Sequence, residues 1–183
     1  MLPWLIGLAF AGGLARLLPH PPNVAPVAAL ALFGGACFSR LWMAVLVTLG
    51  SMIFSDAVLY ATVYRSFVES AAGIAASVLP VYGAFLLTIV VGRWLCRPRT
   101  WPRIASASVA ASLLFFVITN FFVWYGSRAY PQTWAGLWAC YVAALPFLRN
   151  SLLGDLFFTV VLFGLAEAVS IGGRTGAAGS ARA

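Results

Sequence analysis

The side chains able to do acid–base or ion-pair chemistry are few: Asp56, Glu69, Asp155, Glu167, one histidine (His20) and 11 basic residues, every one an arginine. The absence of lysine removes whole reaction classes. A P-loop NTPase needs the lysine of G-x-x-x-x-G-K-[ST] to reach its phosphates, and a Schiff-base cofactor needs a lysine amine. Cys37, Cys96 and Cys140 stand in different segments, with no C-x-x-C or H-x-x-x-H spacing. They read as small buried residues rather than ligands, so neither a metal nor another cofactor is expected. An intramembrane metalloprotease would need several histidines or carboxylates around its metal. A Ser–His dyad on His20 is poorly served by the proline-rich loop 19–23, and the chain has no G-x-S-x-G elbow. No enzyme is expected.

The elements that must position these groups follow from composition. Of 183 residues, 63% are apolar and 8% charged, where a soluble domain carries about a quarter charged. Such a chain cannot cover a core with polar surface, so the bilayer is its solvent and the expected class is an all-α polytopic membrane protein. Apolar stretches run at about 2–18, 24–39, 41–63, 70–95, 104–125 and 150–171, each near the roughly 20 residues that cross hydrocarbon. The proline-bounded stretch 131–148, with Trp134, Trp138 and Tyr141, reads as an extra interfacial or re-entrant helix. Six spans put seven arginines (40, 93, 97, 99, 103, 174, 182) on one side against four on the other, whereas seven spans give six against five. The positive-inside rule therefore favours six transmembrane helices, with both termini and the 93–103 loop cytoplasmic. Residues 1–171 form one membrane domain, and the Gly, Ala, Ser and Arg composition of 172–183 reads as a disordered tail. Ala9-Phe10-Ala11 resembles a signal-peptide cleavage site, but no basic residue precedes the apolar run.

With orientation fixed, the polar residues acquire depths, and the depths converge on the outer side. Arg16 ends span 1, followed by His20 and Asn23. Asp56 lies in the outer half of span 3, Asn120 near the outer end of span 5, and Arg149, Asn150 and Asp155 in the first turns of span 6. Charged groups in hydrocarbon cost several kcal/mol unless they face a partner, water or the bundle interior. The i+4 rows Ser108–Ser112–Phe116–Asn120 and Ser151–Asp155 support inward-facing stripes. Arg16 and Arg149 are the natural partners of Asp56 and Asp155. These residues and Trp124 are expected to line an outward-open polar cavity walled by Tyr125, Tyr130, Trp134 and Trp138. The rival reading is that they are interhelical contacts that only hold the bundle together. On span 1, Gly7, Ala11 and Ala15 form a small-xxx-small row and Ala9 with Gly13 a second. Either lets a helix of this chain, or of a partner, approach closely.

PHPPNVAP at 19–26 leading into ALALFGGA at 29–36, LFFVITNF at 114–121, Cys140-Tyr141 and PFLRNSLLGDLF at 146–157 carry a resemblance that runs from 16 to 165. They resemble an uncharacterised family of small bacterial membrane proteins, itself similar to the substrate-binding S components of energy-coupling factor (ECF) transporters. The resemblance implies six helices with cytoplasmic termini and a vitamin or metal ion bound at the outer face. It also implies a small-residue row on span 1 that docks a transmembrane T component driven by ATPase subunits. Solitary S-like proteins exist, and no ligand-binding residue carries over. The expected function is capture of a small water-soluble, vitamin-like solute for uptake. Its flat ring would stack on the aromatic wall, and its anionic edge would meet Arg16 or Arg149. The alternative is a structural subunit of a larger membrane complex. Nucleic acid is not an expected partner.

Overall fold

In the computed structural model of the chain, residues 2–17, 24, 26–62, 71–126 and 129–180 are described, the side chains of 71–77 and 171–180 excepted. Six helices account for their regular structure: α1 (Leu2–Ala15), α2 (Val27–Cys37), α3 (Leu41–Thr62), α4 (Ala71–Leu95), α5 (Trp101–Gly126) and α6 (Trp134–Ser180). Among the described residues the fold is all-helical, as composition and periodicity predict. Four helices are long and apolar enough to cross a membrane: Leu41–Thr62, Val78–Leu95, Trp101–Gly126 and Trp134–Ser170. α1 and α2 are apolar but shorter, at 14 and 11 residues, or about 21 and 17 Å at 1.5 Å per residue.

The shortness of α2 has a packing explanation. Every residue from Val27 to Ala36 is buried, and the helix touches each of the other five. A helix apolar on all faces belongs inside a bundle, and one shielded from lipid need not match the bilayer thickness. Its tightest neighbour is α4. A Cβ added at Gly35 would overlap the Ile89 carbonyl, and one at Gly92 would overlap the Leu32 carbonyl. The two backbones are in mutual contact there, which only glycine on each helix permits. Phe33 meets Phe163 of α6 edge-on at 5.3 Å, and Phe85 of α4 stacks on Phe115 of α5 at 5.0 Å, which closes the core around α2.

The direction of each helix follows from its contacts. Gly13 lies against Ser51 and Arg16 against Ser55 and Asp56, so α1 and α3 run parallel. Ser112 meets Asp155 while Ser108 meets Thr159, so α5 and α6 run antiparallel. One end of the bundle carries Arg16 and Asp56; the other carries the turn between α4 and α5.

At that turn the arginines act on backbone. Arg97 Nη2 donates to the Phe38 carbonyl at 3.2 Å and Arg93 Nη2 to the Ser39 carbonyl at 2.8 Å, just past the end of α2. Arg103 Nε donates to the Leu95 carbonyl, the last of α4, at 2.9 Å. Carbonyls at a helix C-terminus lack intrahelical donors and carry the negative end of the dipole, so cations close by satisfy both needs. The 93–103 stretch, read from sequence as a topology signal, also caps two helices.

The segment 131–148 is not a separate interfacial helix. Residues from Trp134 onward are continuous with α6, which has Pro146 in its interior. Its start is fixed by Thr133, whose Oγ1 accepts the Gly136 N–H at 3.2 Å, an N-cap contact. Proline removes one donor and weakens a helix at that turn, but here the packing of α6 along α5 on both sides of Pro146 keeps the helix intact. The 37 residues Trp134–Ser170 span about 55 Å, well beyond a hydrocarbon core of roughly 30 Å. α6 also continues to Ser180, into the stretch read from sequence as a tail.

Candidate functional site

At the end of the bundle where α1 stops, Arg16 reaches across to α3. Its Nη1 lies 2.7 Å from Asp56 Oδ1 and 3.0 Å from Ser55 Oγ. Tyr82 of α4 donates its hydroxyl to the other carboxylate oxygen, Asp56 Oδ2, at 2.7 Å. Three helices are thereby tied through one carboxylate. Both ion-pair side chains keep 19% of their surface, so the pair is sheltered but not sealed. The sequence pointed to Arg16 and Asp56 as partners. Tyr82 and Ser55 were not anticipated, because a tyrosine or serine inside an apolar run gives no period or motif that marks it.

Asp155 has a different setting. It is 5% exposed, and among the described residues its one hydrogen-bond donor is Ser112 Oγ, at 2.7 Å. Ser112 also lies 3.1 Å from the Ser108 carbonyl, and Thr159 Oγ1 sits 3.2 Å from Ser108 Oγ. Arg149, the partner expected from sequence, is exposed and makes no ion pair with Asp155. The depth differs too. Starting span 6 at residue 150 placed Asp155 in the outer turns. Ser112, which it faces, is the twelfth of the 26 residues of α5, so Asp155 lies near mid-bundle. The 16-residue extension of α6 before 150 caused the error, since the depth of a residue is counted from the start of its helix.

A pocket of about 490 Å³ opens at the same end as Asp56, between α4, α5 and α6. Phe115, Phe116 and Phe147 supply its aromatic surface, and Thr119, Asn120, Tyr130 and Ser151 its polar groups. Asn120 gives its Nδ2 to the Phe116 carbonyl at 2.8 Å, so its side chain is held in place. Among the described residues no charged side chain lines the pocket. A second pocket, of about 790 Å³, lies at the opposite end, lined by Arg99, Glu167, Cys37 and Trp101 among others. The larger space is therefore away from the residues expected to bind.

The expected site residues thus fall into separate places. Arg16 and Asp56 meet; Asn120 lines the smaller pocket; Asp155 is buried between α5 and α6. Trp124 lies in the last turn of α5, with Nε1 donating to the Pro131 carbonyl of the α5–α6 turn at 2.9 Å. Asn150 is half-buried and Arg149 exposed. His20 and Asn23 lie outside the described residues, as does Glu69. Of the expected aromatic wall, Tyr130 lines the pocket, whereas Tyr125, Trp134 and Trp138 are 67%, 86% and 72% exposed and do not line it. On α1 the two small rows separate. Ala9 and Gly13 are buried, while Gly7 and Ala11 are exposed and Ala15 is half-buried.

The helices and their composition define a membrane protein with intramembrane carboxylates. Within that class the chain belongs to DUF6580, a family of unknown function, whose model matches residues 2–175. No curated protein and no solved structure matches it.

Proposed function

We propose that the chain is the solute-capturing component of a membrane uptake system similar to the S components of ECF transporters. In this reading all six helices cross the bacterial inner membrane, α1 and α2 included, and both termini and the 93–103 turn face the cytoplasm. The Asp56 end then faces outward. The observation that carries the reading is the pocket between α4, α5 and α6. Its volume lies within the 300–1,000 Å³ usual for small-molecule sites, and it pairs aromatic faces with a few fixed polar groups.

Its lining narrows the solute. Arg16 is held by Asp56, and neither Arg16 nor Arg149 lines the pocket, so among the described residues an anionic edge has no partner there. The solute is a small, water-soluble, vitamin-like molecule with a flat ring and an uncharged polar edge. The ring stacks on Phe115, Phe116 or Phe147, and the edge meets Asn120, Thr119 and Ser151. The Gly7–Ala11–Ala15 row, exposed at Gly7 and Ala11 and half-buried at Ala15, supports docking of a separate transmembrane T component, itself coupled to ATPase subunits, because small residues on an open face admit another helix.

The test is a thermal-shift screen of the detergent-solubilised protein against vitamins, nucleobases and divalent metals, with mass spectrometry of small molecules released from it. The expected result is stabilisation by an uncharged ring compound that is lost in Asn120→Leu. Stabilisation by metals alone, or by lipids alone, would refute the reading. A stoichiometric protein partner with an empty pocket would favour the structural-subunit alternative.

A further inference from the structure

The second pocket carries an inference independent of the solute. It lies at the Arg99 end, with Leu5 of α1, Ile104 of α5, and Phe163, Ala166 and Val169 of α6 forming its apolar side and Arg99 and Glu167 its charged groups. Five arginines (40, 93, 97, 99 and 103) gather at this end, and among the described residues Glu167 is the one carboxylate there. Arg93, Arg97 and Arg103 are held on backbone carbonyls. Arg99 differs: it is exposed, and its contact is to Cys37 Sγ at 3.6 Å, a weak acceptor. A guanidinium has five N–H donors, so most of those on Arg99 remain available beside an apolar cleft. Arg93 Nη1 is also buried without an acceptor. Trp42, Trp94 and Trp101 are 58%, 75% and 43% exposed at this same end, where a belt of tryptophans marks the headgroup level of a bilayer.

A cation with unspent donors, an apolar cleft below it and an interfacial depth match one ligand chemistry. We propose that this pocket binds an anionic phospholipid, its phosphate on Arg99 and its first acyl segment against Ile104, Phe163 and Ala166. Glu167, on the α6 wall, accepts hydrogen bonds from headgroup hydroxyls, and the excess of arginines over this single described carboxylate favours a net anionic glycerol headgroup over zwitterionic choline. Basic pockets between helices at the cytoplasmic surface hold acidic lipids on the same physical grounds. The inference rests on the membrane reading and on the inward orientation of this end, but not on solute capture: the two pockets share no lining residue.

The experiment is native mass spectrometry of the full-length protein in detergent with phosphatidylglycerol, phosphatidylcholine or free glycerol 3-phosphate added. The expected result is one retained phosphatidylglycerol, in preference to phosphatidylcholine, with no displacement by glycerol phosphate. Arg99→Gln should weaken retention about fivefold, the effect of one cation at a membrane surface. Arg40→Gln, also exposed at this end but outside the pocket, should leave it unchanged. Ala166→Phe, which fills the apolar side, should reduce retention while Arg99 stays in place, and it decides the matter if Arg99→Gln does not fold. Equal retention of the two lipids, equal loss in Arg99→Gln and Arg40→Gln, or displacement by glycerol phosphate would overturn the site. The solute screen is unaffected by any of these outcomes.

Discussion

Asp56 and Asp155 occur in similar surroundings by sequence, each a lone carboxylate in an apolar helix, yet the bundle treats them in opposite ways. Asp56 meets an arginine on one oxygen and a tyrosine hydroxyl on the other, and keeps 19% of its surface. Asp155 is almost fully enclosed and has a serine hydroxyl. The first is a charge neutralised inside the protein, and it ties α1, α3 and α4 together. The second is a polar joint between α5 and α6 with no cation among the described residues. A carboxylate in a membrane helix therefore has two structural roles, and the chemistry of the facing helix decides which. α1 ends in an arginine at the depth of Asp56, whereas α5 offers only Ser108 and Ser112 at the depth of Asp155.

The largest effect should come from separating the first pair. Arg16→Met leaves Asp56 without its cation, and breaking a buried pair costs about 3–5 kcal/mol. Because each side chain is 19% exposed, water recovers part of that, and a loss of about 2–3 kcal/mol of stability in detergent is expected. The double variant Arg16→Met with Asp56→Leu should recover most of it, because no charge is then left alone. If the single change costs less than about 0.5 kcal/mol, the value of a typical surface substitution, Asp56 is not charge-compensated and the contrast fails.

Hydroxyl deletions compare the two sites directly. Ser112→Ala takes from Asp155 its donor in a buried setting and should cost about 2 kcal/mol, within the range for an abandoned buried polar group. Tyr82→Phe removes one of two partners from a carboxylate that Arg16 still holds, so about 1 kcal/mol is expected. Thermal unfolding of both variants in one detergent gives the order. A larger loss at Tyr82 would mean that the tyrosine, rather than the arginine, fixes Asp56.

Much of this arrangement was legible in the sequence. Apolar run lengths placed α1 to α5 within a few residues of their observed ends, because in hydrocarbon the backbone must satisfy its own hydrogen bonds and apolar length maps onto helix. Arg16–Asp56 was legible as well, since a charge at that depth needs an opposite one. What could not be read was the continuity of α6. Proline, tryptophan and glutamine at 131–148 look like a boundary, and only packing against α5 overrides them. That one misreading moved Asp155 outward by several turns and assigned it an arginine that points elsewhere. The larger pocket was missed for another reason: Cys37, Arg99 and Glu167 come from three distant segments, and no spacing rule connects them.

The smallest effect, and the sharpest test of the contrast, is expected for Asp155→Asn. Asparagine has nearly the same shape, and its Oδ1 can still accept the Ser112 hydroxyl, so the polar joint between α5 and α6 persists. Among the described residues no arginine is left unpaired by the change, since none contacts Asp155. Stability should therefore move by less than about 1 kcal/mol, the scale of one retained neutral hydrogen bond. At Asp56 the same substitution strands Arg16 and should cost about 2–3 kcal/mol, as Arg16→Met does. Parallel melting curves of Asp56→Asn and Asp155→Asn decide the question. If the two losses are equal, Asp155 has a cationic partner after all, and both carboxylates serve as ion-paired ties between helices.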